Sequence, residues 1–501
     1  MTTGKALNGK PYAGNPHVRF DEGEVASAAT PRRGSLLYKT TRRNLIGSMV
    51  AGGAYAALPG GIAFAANAAA GRALPVPTAA QRRWADMELG MFFHFDIPVF
   101  KPNWNWRSFK DFPDPKLYNP AKLDTDQWME AAKAYGAKYV VLVAKHCSGF
   151  LQWQSDLYPY GLKQASWRNG KGDLVKDFVE SARRYGLLPG LYASVSGNGF
   201  LGADNLGRVF VKGCWLGDPS PESKKRYAKI CERMTEELWS RYGELFEIWF
   251  DGGTLAPEKG GPDLLPLIEK YQPNALLFQG PPEAKNLIRW VGNERGVAPY
   301  PCWATGIDGT ADDGTKEMQY NGNPDGGRWI PGECDVPLGR NRWFCYNRGP
   351  NWTMDYLMNM YDRSVGRNCN LLLNAAPQPD GLILESEMKT YAEFGRRIKG
   401  RYANRLAAAE GEGDRLELAI PKDSGPVNQV ILAERIEQGE RIRKFDLEAL
   451  VGTEWKKLYS GTCVGHKHIV RFEKVAASRL RLSVTVSAAK PLIRDFSAYC
   501  N

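Results

Sequence analysis

The sequence predicts an α/β protein: a (β/α)8 TIM-like barrel followed by a small antiparallel β-sandwich. From about residue 82 onward, short apolar runs alternate with amphipathic helical patterns, as in βα units that build a parallel sheet. After about residue 402 the hydrophobic period falls to two, which is typical of antiparallel strands with one buried face. We expect a leader over 1–70, the barrel over 82–402 and the sandwich over 403–501.

The leader carries the pattern of an export signal. Arg42 and Arg43 precede a weakly apolar, Ala- and Gly-rich run over 45–70 that contains two small-x-small cleavage sites. Glycine and proline interrupt this run, so we expect cleavage and no stable membrane span afterwards. The pattern resembles a twin-arginine-type signal and predicts export to the bacterial periplasm or the cell exterior.

Composition excludes several classes of protein. The chain has 501 residues, 43% hydrophobic and 24% charged, which excludes a disordered or collagen-like chain. Part of the formal net charge of +11 lies in the leader, and no later segment interleaves basic and aromatic residues, so no nucleic-acid partner is expected. Nine cysteines without a C-x-x-C pair and five histidines without zinc-ligand spacing predict neither a disulfide framework nor a structural metal. The oligomeric state stays open.

Eight segments are candidate barrel strands. They are Gly90–Ile97, Tyr139–His146, Leu188–Val195, Leu245–Asp251, Ala275–Gln279, Ile288–Glu294, Trp343–Asn347 and Asn370–Asn374. A doubly wound open sheet would need a phosphate-binding loop after its first strand, and none occurs there. The G-x-G-x-x-G at Gly197–Gly202 is followed by no helical pattern, so no nucleotide cofactor is predicted.

The C-terminal segment alternates apolar and polar residues in two runs. Leu416, Leu418 and Ile420 begin this pattern, and a second run extends from Leu480 to Val486. Turn residues near Gly425 and Gly461 separate the predicted strands. Because few aromatic residues follow position 403, we expect this sandwich to support the barrel rather than to bind glycan.

Active sites of such barrels lie at the C-terminal ends of the strands, so polar residues that end the candidate strands are candidate site residues. They include His94, Asp96, Lys145 and His146. Two carboxylates, Asp251 and Glu294, end separate strands and would face a common mouth. Glycoside cleavage needs two carboxyl groups, one to protonate the leaving oxygen and one to meet the oxocarbenium-like carbon. The pattern alone does not assign the two roles.

Three motifs together resemble glycoside hydrolase family 29, the α-L-fucosidases. They are the first strand at Gly90–Phe95, the element from Gly136 to Phe150, and Ile248–Gly252, which is similar to the family's nucleophile strand. The similarity extends from about Trp84 to Asn501. It implies that Asp251 is the nucleophile and that other residues surround the fucose hydroxyls: His94, His146, Trp249 and Arg289, with Trp106 and Tyr192. Arg289 near Asp251 would favour the ionised carboxylate.

The segment Arg289–Glu294 resembles the branch of the family that hydrolyses α-1,3 and α-1,4 linkages, which makes Glu294 the acid/base. Glu333 is its competitor and more resembles an aglycone-side binding residue, while Trp343 and Phe344 would pack the fucose methyl. The resemblance therefore implies an exo-acting, retaining α-L-fucosidase. It would release L-fucose from a fucosylated oligosaccharide or glycoconjugate through a covalent fucosyl-enzyme and without a cofactor.

One departure from the family motif leaves alternatives open. Cys147 and Ser148 stand where the family has histidine and aspartate. A lost imidazole contact could shift substrate preference, so an α-L-galactosidase is an alternative, because its substrate adds only a hydroxyl at C6. A non-catalytic glycan-binding protein is another. The natural glycan stays undetermined.

Overall fold

A computed structural model describes residues 73–306, 316–347 and 349–501. The leader predicted over 1–70, with Arg42 and Arg43, lies outside these ranges. Within them, no helix combines the length and the apolar character needed to cross a membrane.

Ten strands of the described chain lie between residues 89 and 375. They are β1 Leu89–Phe93, β2 Tyr139–Lys145, β3 Leu188–Ala193, β4 Glu247–Trp249, β5 Leu276–Phe278, β6 Leu287–Trp290, β7 Thr305–Gly306, β8 Arg328–Trp329, β9 Gly332–Pro337 and β10 Cys369–Ala375. All except β7 and β8 pair in parallel and close into a barrel, in the spatial order β1-β10-β9-β6-β5-β4-β3-β2. The predicted barrel is therefore confirmed. The strands β7 and β8 form a separate antiparallel pair.

Most helices of the described chain cover the outside of the barrel, whereas the helix before β1 contributes Trp84 to the inner cluster of side chains. The helices are α1 Ala79–Met87, α2 Thr125–Tyr135, α3 Leu174–Arg184, α4 Pro221–Arg241, α5 Leu265–Tyr271, α6 Lys316–Asn321, α7 Met354–Arg363 and α8 Glu385–Gly400. The helix α3 shows why these segments are helical: Asp173 caps its N-terminus, and Leu174, Phe178 and Ala182 fall on one buried face.

The core has two layers because strand side chains alternate between the two faces of the barrel wall. Phe92, Val141, Trp249 and Ile288 belong to the inner cluster. The outer layer, between strands and helices, is larger. The inner layer leaves little room at Gly90, because a Cβ there would overlap the Tyr139 ring.

The predicted strand at Trp343–Asn347 is wrong. That segment consists of bends and turns, and the seventh barrel strand is β9, Gly332–Pro337. Both faces of a parallel barrel strand are buried, and apolar runs are therefore the signal that sequence analysis follows. Two inward-facing carboxyl groups, Glu333 and Asp335, break the apolar run in β9 and hide the strand.

The C-terminal region is a two-sheet antiparallel sandwich, as predicted. Its strands are β11 Arg405–Glu412, β12 Arg415–Ala419, β13 Val427–Glu434, β14 Ile442–Val451, β15 Glu454–Gly461, β16 His468–Val475, β17 Arg479–Ser487 and β18 Leu492–Tyr499. They form the sheets β11-β18-β13-β16 and β12-β17-β14-β15. Apolar side chains from both sheets make a separate core.

A buried carboxyl joins the sandwich to the barrel. Glu440 accepts hydrogen bonds from the Ala304 backbone N–H and from the Asn368 side-chain amide. Asn368 in turn accepts from the His466 N–H at 2.7 Å. Burial raises the pKa of Glu440 to about 7. This network ties the start of β10 to the sandwich.

Candidate active site

The predicted site residues come together mainly at the carboxyl ends of the barrel strands. His94 follows β1 directly, His146 follows β2, Asp251 lies two residues beyond β4, and Glu294 lies in the loop after β6. Phe344 enters from the loop between β9 and α7 and lies edge-on to His94 and His146, with ring centroids 5.3 and 5.2 Å away.

Asp251 is half-buried and is positioned by the neighbouring strand β3. The Tyr192 hydroxyl donates to Asp251 Oδ2 at 3.0 Å, and the Ser196 hydroxyl donates to the Asp251 backbone carbonyl at 2.8 Å. The glycines Gly252 and Gly253 both have positive φ, at 74° and 78°. They let the chain turn sharply after Asp251, which leaves this carboxylate at the mouth.

Two neutral imidazoles line the mouth beside Asp251. Burial lowers the pKa of His94 and of His146 to about 3. His94 Nδ1 lies 2.7 Å from Asn374 Oδ1, and the Asn374 amide nitrogen donates to the Trp343 carbonyl at 2.9 Å. Because the Asn374 oxygen must then be the acceptor, the His94 proton is on Nδ1 and its Nε2 is an acceptor.

Trp343 connects Glu294 to this wall of rings. Glu294 is exposed at the rim, and its Oε2 accepts from the Trp343 indole N–H at 2.9 Å. The Trp343 ring also packs against His94, with centroids 4.8 Å apart. His146 stacks on Tyr192 at 5.8 Å. A continuous row of aromatic and imidazole rings therefore extends between the two carboxyl groups.

Asp335 is a further carboxyl group near Glu294 that sequence analysis missed. It is buried in the second half of β9 and accepts from the Trp290 indole N–H at 2.7 Å. Burial, with the charge of Glu294 as the next cause, raises its pKa well above the usual value. Asp335 is therefore a neutral neighbour of Glu294 over most of the pH range.

Asp96 and Lys145 also end their strands, but they hold loops. Lys145 Nζ donates to the Ser194 and Gly197 carbonyls at 2.6 Å, which fixes the loop after β3. Asp96 caps the turn after β1 and accepts from the Ser148 hydroxyl at 2.6 Å. The glycine motif at Gly197–Gly202 forms part of this loop and is followed by turns, as expected.

Glu333 does not reach the mouth, so its interpretation as an aglycone-side residue is wrong. It is fully buried inside the barrel, where it accepts from the Tyr139 hydroxyl at 2.6 Å and from the Trp249 indole N–H at 3.0 Å. Burial raises its pKa and that of the neighbouring Glu247. The same bond directs the Trp249 N–H into the core, where Trp249 stacks on Tyr192 beneath Asp251. It is not directed toward a sugar hydroxyl.

Arg289 also lies elsewhere than expected. Ile288 points into the barrel, so the next residue, Arg289, points out of the barrel wall. Its guanidinium is buried and donates to Cys302 Sγ at 3.1 Å and to the Trp303 carbonyl at 2.9 Å. It therefore neither lines the mouth nor pairs with Asp251.

The loop carrying Trp106 approaches the mouth from the β1 side. A Cβ at Gly199 would lie 3.2 Å from the Trp106 carbonyl and 3.4 Å from that of Cys147, so the loops after β1, β2 and β3 meet there. Asn374 is another residue that sequence analysis did not select. It ends a candidate strand and is polar, so the strand-end rule could have found it.

One set of metal-type ligands occurs among the residues that the structure describes. The ligand atoms of His146, Cys147 and Asp251 all lie within 4.8 Å of one another. Cys147 is buried, and burial raises the pKa of its thiol to about 11.

Comparisons with known proteins identify relatives of the whole described chain. The family described as Alpha-L-fucosidase matches residues 76–400. Alpha-L-fucosidase 1 of Arabidopsis thaliana is 32% identical over 478 residues, covering 85% of this chain and 88% of that protein. A crystal structure of a candidate α-L-fucosidase from Bacteroides thetaiotaomicron is 40% identical, with a TM-score of 0.79, and covers 85% of this chain and 100% of that one. A glycoside hydrolase 29 family member from an unknown rumen bacterium is 29% identical, with a TM-score of 0.73, covering 85% and 77% of the two chains.

Proposed function

The chain belongs to the α-L-fucosidase family of glycoside hydrolases, and we propose that it is an exo-acting, retaining enzyme acting on α-1,3- and α-1,4-fucosylated glycans. The observation that carries hydrolysis is that Asp251 and Glu294 follow the barrel strands β4 and β6, whose carboxyl ends share one mouth. The similarity of Ile248–Gly252 to the family's nucleophile strand adds the retaining mechanism. The row of rings Trp343, His94, His146 and Tyr192 lies between Asp251 and Glu294. A single fucose ring between the two carboxyl groups would expose C1 to one and its glycosidic oxygen to the other.

In this mechanism Asp251 is the nucleophile. Its Oδ2 accepts from Tyr192, which leaves Oδ1 to attack the anomeric carbon as the bond to the leaving sugar breaks. The covalent product is a fucosyl ester of Asp251 with inverted configuration. Attack of water on this ester inverts the configuration again and regenerates the carboxylate, so α-fucose is released.

Glu294 is the acid/base in the same scheme. With Oε2 held by the Trp343 indole, the second oxygen can carry the proton to the glycosidic oxygen. Once the leaving sugar has departed, the same oxygen accepts a proton from the attacking water. The exposure of Glu294 at the rim suits this role, because both the leaving sugar and the water enter from that side.

Recognition of the fucose hydroxyls falls to the two neutral histidines. His94 presents Nε2 as an acceptor, because its Nδ1–H donates a hydrogen bond to Asn374. His146 stays neutral at ordinary pH and presents one donor and one acceptor. Phe344, which lies edge-on to both imidazoles, offers an apolar surface that suits the C6 methyl.

The leaving glycan would lie against the loop after β1. Phe109 in this loop contacts the exposed Phe210 of the loop after β3, with ring centroids 4.9 Å apart, and Trp106 lies 6.0 Å from Phe109. Flat apolar side chains at the rim suit the faces of further sugar rings. Together with the similarity of Arg289–Glu294 to the α-1,3/1,4 branch, they support a branched glycan as the substrate.

The test compares three substrates and two proteins. Wild type and Asp251→Asn are assayed on an aryl α-L-fucoside, an aryl α-L-galactoside and a trisaccharide with fucose α-1,3- or α-1,4-linked to N-acetylglucosamine. We expect wild type to cleave the trisaccharide, and NMR should detect α-fucose as the first product. Asp251→Asn should not cleave it. First release of β-fucose contradicts retention, faster cleavage of the galactoside supports the α-L-galactosidase, and binding without cleavage supports a glycan-binding protein.

We also propose that the leader exports the enzyme. The support is the sequence around Arg42 and Arg43. Replacement of both arginines by lysine should leave the enzyme in the cytoplasmic fraction of a host whose twin-arginine pathway exports the wild type. Equal export of both forms contradicts this assignment.

A further inference from the structure

The His146, Cys147 and Asp251 cluster combines three kinds of ligand atom. It offers an imidazole nitrogen, a thiol sulfur and a carboxylate oxygen, all within 4.8 Å of one another. Two of these residues follow β2 and the third follows β4, and β3 lies between those strands in the barrel. Sequence spacing therefore gives no indication of the cluster, because Asp251 lies about 100 residues after the adjacent His146 and Cys147.

This ligand set suits a thiophilic divalent cation. Zinc binds sulfur at about 2.3 Å and nitrogen or oxygen at about 2.0–2.2 Å, so tetrahedral ligand atoms are separated by about 3.4–3.6 Å. Since no two of these atoms lie more than 4.8 Å apart, no pair would have to close by more than about 1.4 Å. Rotations of the three side chains can supply this movement without a change in the barrel.

Existing contacts leave each ligand available. The Cys147 thiol contacts the Ser194 hydroxyl at 3.8 Å and also interacts with the Tyr192 side chain, and Tyr192 takes only one of the two Asp251 oxygens. The His146 ring packs against Tyr192 and Phe344, and neither of these ring contacts takes a ring nitrogen. The three ligands would fill three positions of a tetrahedral ion, and a water molecule would fill the fourth.

We propose that His146, Cys147 and Asp251 form a reversible inhibitory site for Zn²⁺ or a similar thiophilic cation. Binding converts the Cys147 thiol to a thiolate and releases one proton to solvent. Because the ion takes the free oxygen of Asp251, it competes directly with the glycoside. This consequence for hydrolysis rests on the proposed function, whereas ion binding does not.

The position of Cys147 makes the site a property of this chain. Serine at this position would remove the soft ligand and nearly keep the volume of the side chain. Cys500 offers a matched control, because it is a half-buried cysteine near the end of the sandwich. Neither cysteine forms a disulfide.

The first experiment follows Co²⁺ binding to the purified, metal-free protein by absorption. We expect a thiolate-to-cobalt charge-transfer band in wild type and in Cys500→Ser, displaced by Zn²⁺, and no such band in Cys147→Ser. Removal of this ligand should weaken Zn²⁺ binding by about 100-fold or more, because even loss of a residue that only orients a ligand costs 10–100-fold. Cys147→Ala is measured in parallel in case the serine variant does not fold.

The second experiment measures hydrolysis of an aryl α-L-fucoside against Zn²⁺ concentration, with each protein normalised to its own metal-free rate. Inhibition should be competitive, should be reversed by a chelator, and should weaken by the same factor in Cys147→Ser. A missing charge-transfer band in wild type, or an unchanged band in folded Cys147→Ser or Cys147→Ala, overturns the proposed site. A cobalt band in a protein that cleaves no fucoside keeps the site and refutes the proposed function.

Discussion

The hydrogen bond between Trp343 and Glu294 gives a quantitative test of the acid/base assignment. Trp343→Phe removes the indole N–H that Glu294 accepts at 2.9 Å, and it keeps an aromatic face against His94. Glu294 becomes a charged acceptor as it gives its proton to the leaving oxygen, and hydrogen bonds to charged groups contribute about 1.5–3 kcal/mol. Because Glu294 is exposed, the lower end applies, and about 1.5 kcal/mol corresponds to roughly a tenfold loss of rate.

This loss should depend on the leaving group. A glycan oxygen needs the proton of Glu294, so kcat/KM for the fucosylated trisaccharide should fall about tenfold in Trp343→Phe. A dinitrophenolate leaves without a proton, so kcat/KM for the dinitrophenyl α-L-fucoside should change by less than about twofold. The assay is steady-state hydrolysis of both substrates by the same enzyme preparation.

Trp352→Phe is the matched control. Its indole N–H donates to the Pro337 carbonyl at 3.0 Å, and its ring stacks on Tyr356 rather than on a site residue. The ratio of the two kcat/KM values should stay as in wild type. If Trp343→Phe lowers kcat/KM equally for both substrates, or for neither, Trp343 does not orient an acid at Glu294 in this way.

Three further predictions concern Glu333, Glu440 and Gly90. Glu294→Gln should lower kcat/KM for the trisaccharide by about 100-fold or more, and azide should restore its turnover of the aryl fucoside. Glu333→Gln should leave the ratio of kcat/KM for the trisaccharide to kcat/KM for the aryl fucoside unchanged. A changed ratio would show that Glu333 acts on the aglycone. Because burial raises the pKa of Glu440 from 4.5 to about 7, its contribution to the free energy of unfolding is full below pH 4.5 and falls as pH rises to about 7, by about 3 kcal/mol. Urea titrations at several pH values should show this loss in wild type and not in Glu440→Gln. The same dependence of the free energy of unfolding on pH in both proteins would contradict it. Gly90→Ala should destabilise the barrel by about 1–3 kcal/mol through overlap with Tyr139, and a midpoint of denaturation equal to that of wild type would show that the ring can move.

Apolar periodicity predicted most of the barrel. Seven of the eight predicted strands overlap observed ones, because buried parallel strands are nearly continuous apolar runs. The exception was β9, in which Glu333 and Asp335 point into the barrel and are paired there with indole and hydroxyl groups. Their hydrogen bonds make burial tolerable, and those partners lie on other strands that the sequence does not connect.

The positions of the strand ends predicted which residues lie at the site, but the sequence did not predict the directions of all their side chains. His94, His146 and Asp251 lie at the mouth because they follow barrel strands directly or within two residues. Arg289 was assigned to the mouth by resemblance, but the alternation of side chains along β6 places it outside the wall. The orientation of a side chain depends on the register of its strand in the closed barrel, which a single sequence does not specify.

The central claim is that Asp251 forms a covalent bond to fucose during turnover, and trapping of this intermediate tests it most directly. A 2-deoxy-2-fluoro-α-L-fucosyl fluoride slows the breakdown of the fucosyl-enzyme while its fluoride leaving group speeds its formation. Digestion and mass spectrometry should then find one fluorofucosyl group, esterified to Asp251. A labelled residue other than Asp251, or no adduct in a protein that hydrolyses aryl α-L-fucosides, would contradict the account.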